Sequence, residues 1–162
     1  MRGCADARKT GYSQPHHSAH LEDFPCMRKN LPITQNEKHF PKNQKLISST
    51  DLKGKIKHCN SAFVEVSGFS REELIGQPHN IVRHPDMPPE AYENMWSHLK
   101  AGRPWMGLVK NRCKNGDFYW VSAYVTPITE GGEVIGYESV RSCPERKAVS
   151  YTHLTLPTKR IV

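Results

Sequence analysis

The densest chemistry in the chain lies in Asn80-Ile81-Val82-Arg83-His84-Pro85-Asp86-Met87, which offers a permanent cation, an ionisable imidazole and a carboxylate within four residues. Prolines at 85, 88 and 89 stiffen the backbone that follows. Such a loop can hold polar groups of a ligand at the mouth of a cleft. The plain alternative is a solvated loop in which Arg83 and Asp86 form a surface pair worth about 0–1 kcal/mol. Two tryptophans bracket the next helix-to-strand turn. Trp96 sits on an apolar stripe, where an aromatic residue is usually packing, and Trp105 leads into a strand. Asn60 and Asn111 carry amides that give and accept hydrogen bonds, although the first can simply cap a helix and the second can be an ordinary polar residue of a strand.

Other constellations point nowhere. His79 and His84 are five apart, with no Glu between them, so they miss the i, i+4 zinc pattern. His16, His17 and His20 lack a nearby acid or thiol and read as solvated; no metal site is expected. His58 and Cys59 are neighbours on a strand and face opposite sides, which rules out a catalytic pair. Five cysteines at 4, 26, 59, 113 and 143, with no CxxC, suit reduced thiols. The chain contains no GxSxG, P-loop or GxGxxG string, and no acid/base pair of recognisable spacing, so it is not expected to be an enzyme.

Charge excludes another class. The 162 residues carry 23 Lys+Arg and 16 Asp+Glu, a formal net charge of +7. Between Lys45 and Arg141, however, 12 basic residues face 11 acidic ones, so the excess belongs to the flanks. A nucleic-acid binder concentrates positive charge on its folded face with interleaved aromatics, and that footprint is missing. No run approaches the roughly 18 apolar residues of a membrane span, and the N-terminus lacks the apolar core of a secretory signal. A cytoplasmic chain without a membrane segment is expected.

The elements that would position these residues follow from periodicity. Residues 1–44 show no period of 2 or 3.6 and read as a mostly disordered arm, of which 1–26 resembles translated upstream sequence. Residues 143–162 read as an unstructured tail ending in vector- or adapter-like sequence. Between them, 45–142 reads as one domain. Two strands flank Asp51-Leu52-Lys53-Gly54, and Asn60 and Ser70 cap two short helices, the second with Glu73 in a capping box. A longer helix from Pro89 spaces Tyr92, Met95, Trp96 and Leu99 at i, i+3, i+4 and i+7, and Gly102 ends it. From Trp105 the period becomes 2, giving three strands separated by Asn115-Gly116-Asp117 and Gly131-Gly132. The sum is an α+β domain: a five-stranded antiparallel sheet with short helices and one longer helix on one face. Tyr119, Val121, Ala123 and Val125 share one face of the middle strand of these three; Phe118, Trp120, Ser122 and Tyr124 share the other, which needs a partner, a second copy or the arm.

The strand pair, the helical middle with "GFSREELIGQPHNIVRHPDMP", the helix bearing "MW" and "GRPWMGLVKNRCKNGDFYWV" resemble the PAS sensory domain of bacterial aerotaxis receptors, a family of methyl-accepting chemotaxis proteins, over about residues 30–142. "GQPHNIVRHPDMP" is the most specific of these strings. The resemblance implies a PAS fold that binds FAD non-covalently and reports redox state to a chemotaxis signalling module. It also implies that Arg83, His84 and Asp86 occupy the cofactor-critical loop and that Asn60, Asn111 and Trp105 line the flavin site; Trp96, on the apolar stripe of its helix, is either packing or a further cofactor contact. The family's membrane-anchoring and coiled-coil signalling regions are missing from the sequence, which therefore reads as a truncated sensor, with homodimerisation expected. Where photoreceptive relatives carry a reactive cysteine, this chain reads Gln77-Pro78-His79-Asn80, so no cysteinyl photoadduct is expected. The alternative is a PAS module holding haem, another small ligand or none, and serving dimerisation. Haem is disfavoured because His98 lies opposite the apolar stripe of its helix.

Overall fold

The computed structural model describes residues 29–155 of the chain. Strands β1 (Leu46–Asp51) and β2 (Ile56–Cys59) form a hairpin whose turn ends on Gly54 at φ 77°, a value that favours glycine. Asn60 caps α1 (Ser61–Ser67) by accepting from the Phe63 amide at 3.0 Å, and α2 (Arg71–Leu74) begins with the Ser70–Glu73 capping box. A 3-10 turn at His79–Val82 leads through the Arg83–Pro88 loop into α3 (Pro89–Lys100). Strands β3 (Trp105–Arg112), β4 (Phe118–Glu130) and β5 (Glu133–Ser142) complete a five-stranded sheet in the order β2-β1-β5-β4-β3, antiparallel throughout. The first hairpin therefore docks on the last strand, and β5 sits at the centre.

The inner face carries the core. Tyr119, Val121 and Ala123 of β4 are buried against Phe63 and Val66 of α1, Leu74 of α2, and Ile81 and Val82 of the 3-10 turn. A second cluster joins Leu99 of α3 to Val125 and Tyr137, with Met95, Trp96 and Trp105 packed on it. The alternation read along β4 is thus the alternation observed. Among the described residues, no helix is long and apolar enough to cross a membrane.

Both flanks need correction. Residues 34–38, expected to be disordered, run beside the start of β4: Phe118 N–H donates to the Asn36 carbonyl at 3.0 Å and Lys38 N–H to the Phe118 carbonyl at 2.7 Å. The cause is a vacant edge. The last β5 residue, Ser142, pairs with Ser122, so β4 residues before Ser122 lack a β5 partner and the arm satisfies part of that edge. Phe40 is buried in the main core, and Asn30 is buried where its Nδ2 donates to the carbonyls of Asn80 (2.9 Å) and Arg83 (2.8 Å). At the other end, residues expected to be unstructured form α4 (Arg146–Thr155), whose Val149 is buried with Met87 and Trp120. These two segments cover the aromatic start of β4 on the outer face. The readings made for residues 1–28 and 156–162 lie outside the described residues.

Candidate functional site

A cavity of about 340 Å³ opens between the inner face of the sheet, the 3-10 turn and α3. That volume falls within the range of about 300–1,000 Å³ usual for small-molecule sites. Parity explains its walls. Trp105, Val109 and Asn111 recur at intervals of two on β3 and so share its inner side, while Tyr92, Met95, Trp96 and Leu99 form the stripe of α3; all seven line the cavity. Gly107 lies between Trp105 and Val109 on the same side, and a Cβ there would come 2.5 Å from the Trp105 ring. The glycine lets the indole lie back along its own strand, with Nε1 donating to Asn94 Oδ1 at 2.8 Å. Trp96 meets Tyr137 edge-on, the ring centroids 5.3 Å apart. The cavity lining is therefore rich in aromatic side chains and mostly apolar.

Several polar side chains interrupt the apolar lining. Arg83 lies with its guanidinium carbon 4.3 Å from the Tyr92 ring centroid, a cation–π contact that orders both side chains. Asn80 Oδ1 and Tyr92 Oη are buried without a hydrogen-bond partner among the described residues, and both residues line the cavity. Burial pushes the Tyr92 hydroxyl up to about 12, so it stays a neutral donor. Arg141 of β5, also lining the cavity, is 2% exposed. Its Nη2 donates to Ser48 Oγ at 2.5 Å, its Nη1 approaches His79 Nε2 at 3.2 Å, and its guanidinium carbon lies 4.3 Å from the Phe63 ring centroid. Burial first, and then the Arg141 charge, push the His79 imidazole down to about 3, so its Nε2 accepts from Arg141 with the proton on Nδ1.

The residues singled out from sequence divide into two groups. Arg83, Asn111, Trp96 and Trp105 all line the cavity. His84, Asp86 and Asn60 do not. Asn60 spans β1 and α1, its Oδ1 accepting from Ile47 and Phe63 and its Nδ2 donating to the Lys45 carbonyl at 2.8 Å, which is the capping alternative. The loop bends around the edge strand at the Arg83–Asn111 bridge, so Arg83 remains on the cavity side while His84 and Asp86 pass to the outer side. There His84 Nδ1 accepts from the Asp86 amide at 3.1 Å, Lys110 Nζ donates to Asp86 Oδ2 at 2.9 Å, and the His84 ring meets Phe118 edge-on. His98 also stands off the cavity, its Nδ1 near the Asn94 carbonyl at 2.9 Å. Sequence reading missed His79, Ser48, Tyr137 and Arg141. For Arg141 a usable signal existed, since it is a lone arginine on the inward parity of a central strand, beside Val140 and opposite Ala123.

Residues 56–141 match the family described as PAS fold. The chain is 51% identical over 110 residues to the aerotaxis receptor of Escherichia coli, covering 68% of this chain and 22% of that protein. It is 31% identical over 118 residues to the nitrogen fixation regulatory protein of Klebsiella pneumoniae, covering 68% of this chain and 23% of that protein. The chain thus spans less than a quarter of the length of either curated relative. Among solved structures, a light-oxygen-voltage domain from work with a flavin analogue superposes with a TM-score of 0.61 at 21% identity, covering 68% of this chain and 86% of that one. The light-state structure of the blue-light photoreceptor Aureochrome1 LOV superposes with a TM-score of 0.61 at 18% identity, covering 68% and 93%. These two likenesses concern the fold.

Proposed function

The chain belongs to the PAS fold family, and on that premise we propose that it is the FAD-binding sensory module of an aerotaxis-type chemotaxis receptor, a binding rather than a catalytic domain. The observation that carries this reading is the convergence of Arg83, Asn111, Trp96 and Trp105 on one cavity, reached from three separate elements. A flavin needs a flat apolar slot, amide or hydroxyl groups for its ring edge, and a cation for its electron-rich or phosphate-bearing parts. Trp96, Trp105 and the aliphatic side chains beside them supply the walls, Asn111, Asn80 and Tyr92 the hydrogen-bonding groups, and Arg83 and Arg141 the charge. When bound, the flavin supplies a reversible two-electron redox couple. The protein's part is to hold it, exclude water and pass a change in local hydrogen bonding to the sheet, whose strands reach both flanks.

His79 is the imidazole at the cavity wall, and its Nε2 is already engaged by Arg141 and Ser48. That favours flavin over haem. Output requires signalling regions of a longer receptor, which this domain would serve from the cytoplasmic side of the membrane. A second copy of the domain fits the outer face, where Met106 (67% exposed) and Tyr124 (43%) sit opposite one another on β3 and β4. Purification of the chain with its native ligand tests the reading: the two-banded visible spectrum of an oxidised flavin, and release of FAD on denaturation, are expected. A Soret band, or release of a different compound, refutes it.

A further inference from the structure

Arg141 is a buried cation without a counter-charge among the described residues. Among the described residues its partners are the Leu46 carbonyl, the Ser48 hydroxyl, the neutral His79 ring and the Phe63 face, and no carboxylate forms an ion pair with it. Burying an ion in this way is costly unless something at the site balances it, and neutral acceptors do so only in part. The charge does not compensate an acid elsewhere in the core, since among the described residues the buried polar and charged ones include Lys110, Arg112, His84 and Asn111 but no Asp or Glu. Arg141 lines the ligand cavity, and the two carboxylates that also line it, Glu93 and Glu138, form no ion pair with it among the described residues, so a ligand in the cavity is placed to supply the balancing charge.

We propose that Arg141 is the anion-recognising residue of the cavity: it faces a part of the bound ligand that is electron-rich in one state and fully negative in another, and it holds the negative state more tightly. The proposal rests on the flavin reading. Two-electron reduction of the cofactor with uptake of one proton, FAD + 2e⁻ + H⁺ → FADH⁻, places one negative charge on the ring that the oxidised form lacks. A guanidinium in the partly apolar wall of the cavity would favour that charge by Coulomb attraction. The three side chains around Arg141 keep its charge in place. Ser48 and His79 accept hydrogen bonds from its N–H groups, and Phe63 faces its guanidinium plane, while none of them neutralises it. Burial lowers the Arg141 pKa only to about 10, so the group stays cationic at neutral pH.

The test is a dithionite titration of the FAD-loaded full chain, run beside free FAD, with Arg141→Lys and Arg141→Met as variants. The wild-type potential is expected above that of free FAD. Arg141→Met is expected to lower the reduced-over-oxidised affinity ratio by about 10- to 100-fold, which is a fall of about 30 to 60 mV for a two-electron couple. Arg141→Lys, keeping the charge, is expected to stay near the wild type. Wild-type protein that takes up no FAD overturns the flavin reading and the proposal with it. A wild type that binds FAD at a potential no higher than free FAD overturns the Arg141 assignment alone, and that result needs no variant to fold. A Met variant that binds FAD at an unchanged potential does the same, leaving Arg141 a purely structural residue.

Discussion

Two buried cations stand on opposite faces of the same sheet, and they are treated differently. On the outer face, Lys110 is 5% exposed but pairs with Asp86 at 2.9 Å and lies 4.3 Å from the Phe118 ring centroid. On the inner face, Arg141 is 2% exposed and has neutral partners. The protein thus balances the outer charge itself and leaves the inner one to face the cavity. Compensation within the chain marks a structural contact, and its lack at a cavity wall marks a binding one. The His84–Asp86–Lys110 cluster is a clasp that holds the loop on the sheet, and Arg83, one residue before it, lines the cavity.

The comparison is broken most directly at Arg83. Arg83→Ala removes a charged donor whose hydrogen bonds are worth about 1.5–3 kcal/mol, so FAD affinity should fall by about 10- to 150-fold. Circular dichroism should show the fold intact, because the side chain is half-buried and packs on Tyr92 rather than within a core cluster. Fluorescence of flavin released from the purified variant measures the loss.

On the outer face the expected effect is on stability. Asp86→Ala strands a buried lysine, and because Asp86 is itself half-exposed the cost should be about 2 kcal/mol rather than the 3–5 of a fully buried pair. Adding Lys110→Met should recover most of it, since an apolar side chain between Phe118 and Trp120 needs no counter-charge. Urea midpoints of the two single variants and the double variant give the coupling. A double variant no better than Asp86→Ala would show that the loop is held by something else.

This pairing also shows what was legible from sequence and what was not. The domain core was legible because its strands alternate, its helices carry caps at Asn60 and Ser70, and its turns end on glycines that adopt positive φ. The walls of the cavity were legible for the same reason, since Trp105 and Asn111 inherit their side from strand parity and Trp96 from the stripe of α3. Parity fails in a loop. Nothing in the spacing of Arg83, His84 and Asp86 reveals that the chain turns around the edge of β3 between the first and the second. The flanks were illegible because their contacts are long-range: Phe40 and Val149 are isolated apolar residues whose burial depends on a partly unpaired β4 and an aromatic outer face, neither of which is local.

A smaller effect should come from pH. Burial first, then Lys110, push the His84 imidazole down to about 4, with Asp86 pulling it upward and Arg112 downward; burial and Arg141 put His79 at about 3. An ordinary histidine titrates near 6.5, so the unfolded chain takes up these protons first. Stability is therefore complete above about pH 6.5 and is lost as the pH falls toward 4 and 3, at up to about 1.4 kcal/mol per pH unit for each histidine. Carboxylates held low in the fold, such as Glu73 by the Lys114 hydrogen bond and Asp117 by the Thr34 hydroxyl, add their loss only in the acid range below about 4.5. Between pH 6 and 5 the slope should thus reflect His79 and His84, and His84→Asn should roughly halve it in denaturant titrations at each pH. An unchanged slope would place the proton uptake elsewhere.

The central claim is that the inner face of the sheet is a flavin site and the outer face is not. It is tested most directly by quantifying FAD per chain in purified wild type, Arg83→Ala and the Asp86→Ala/Lys110→Met double variant, each checked for fold by circular dichroism. Near-stoichiometric FAD is predicted in the wild type and largely retained in the double variant, with little in folded Arg83→Ala. A folded Arg83→Ala protein with a full complement of FAD, or a folded double variant with none, would contradict the account.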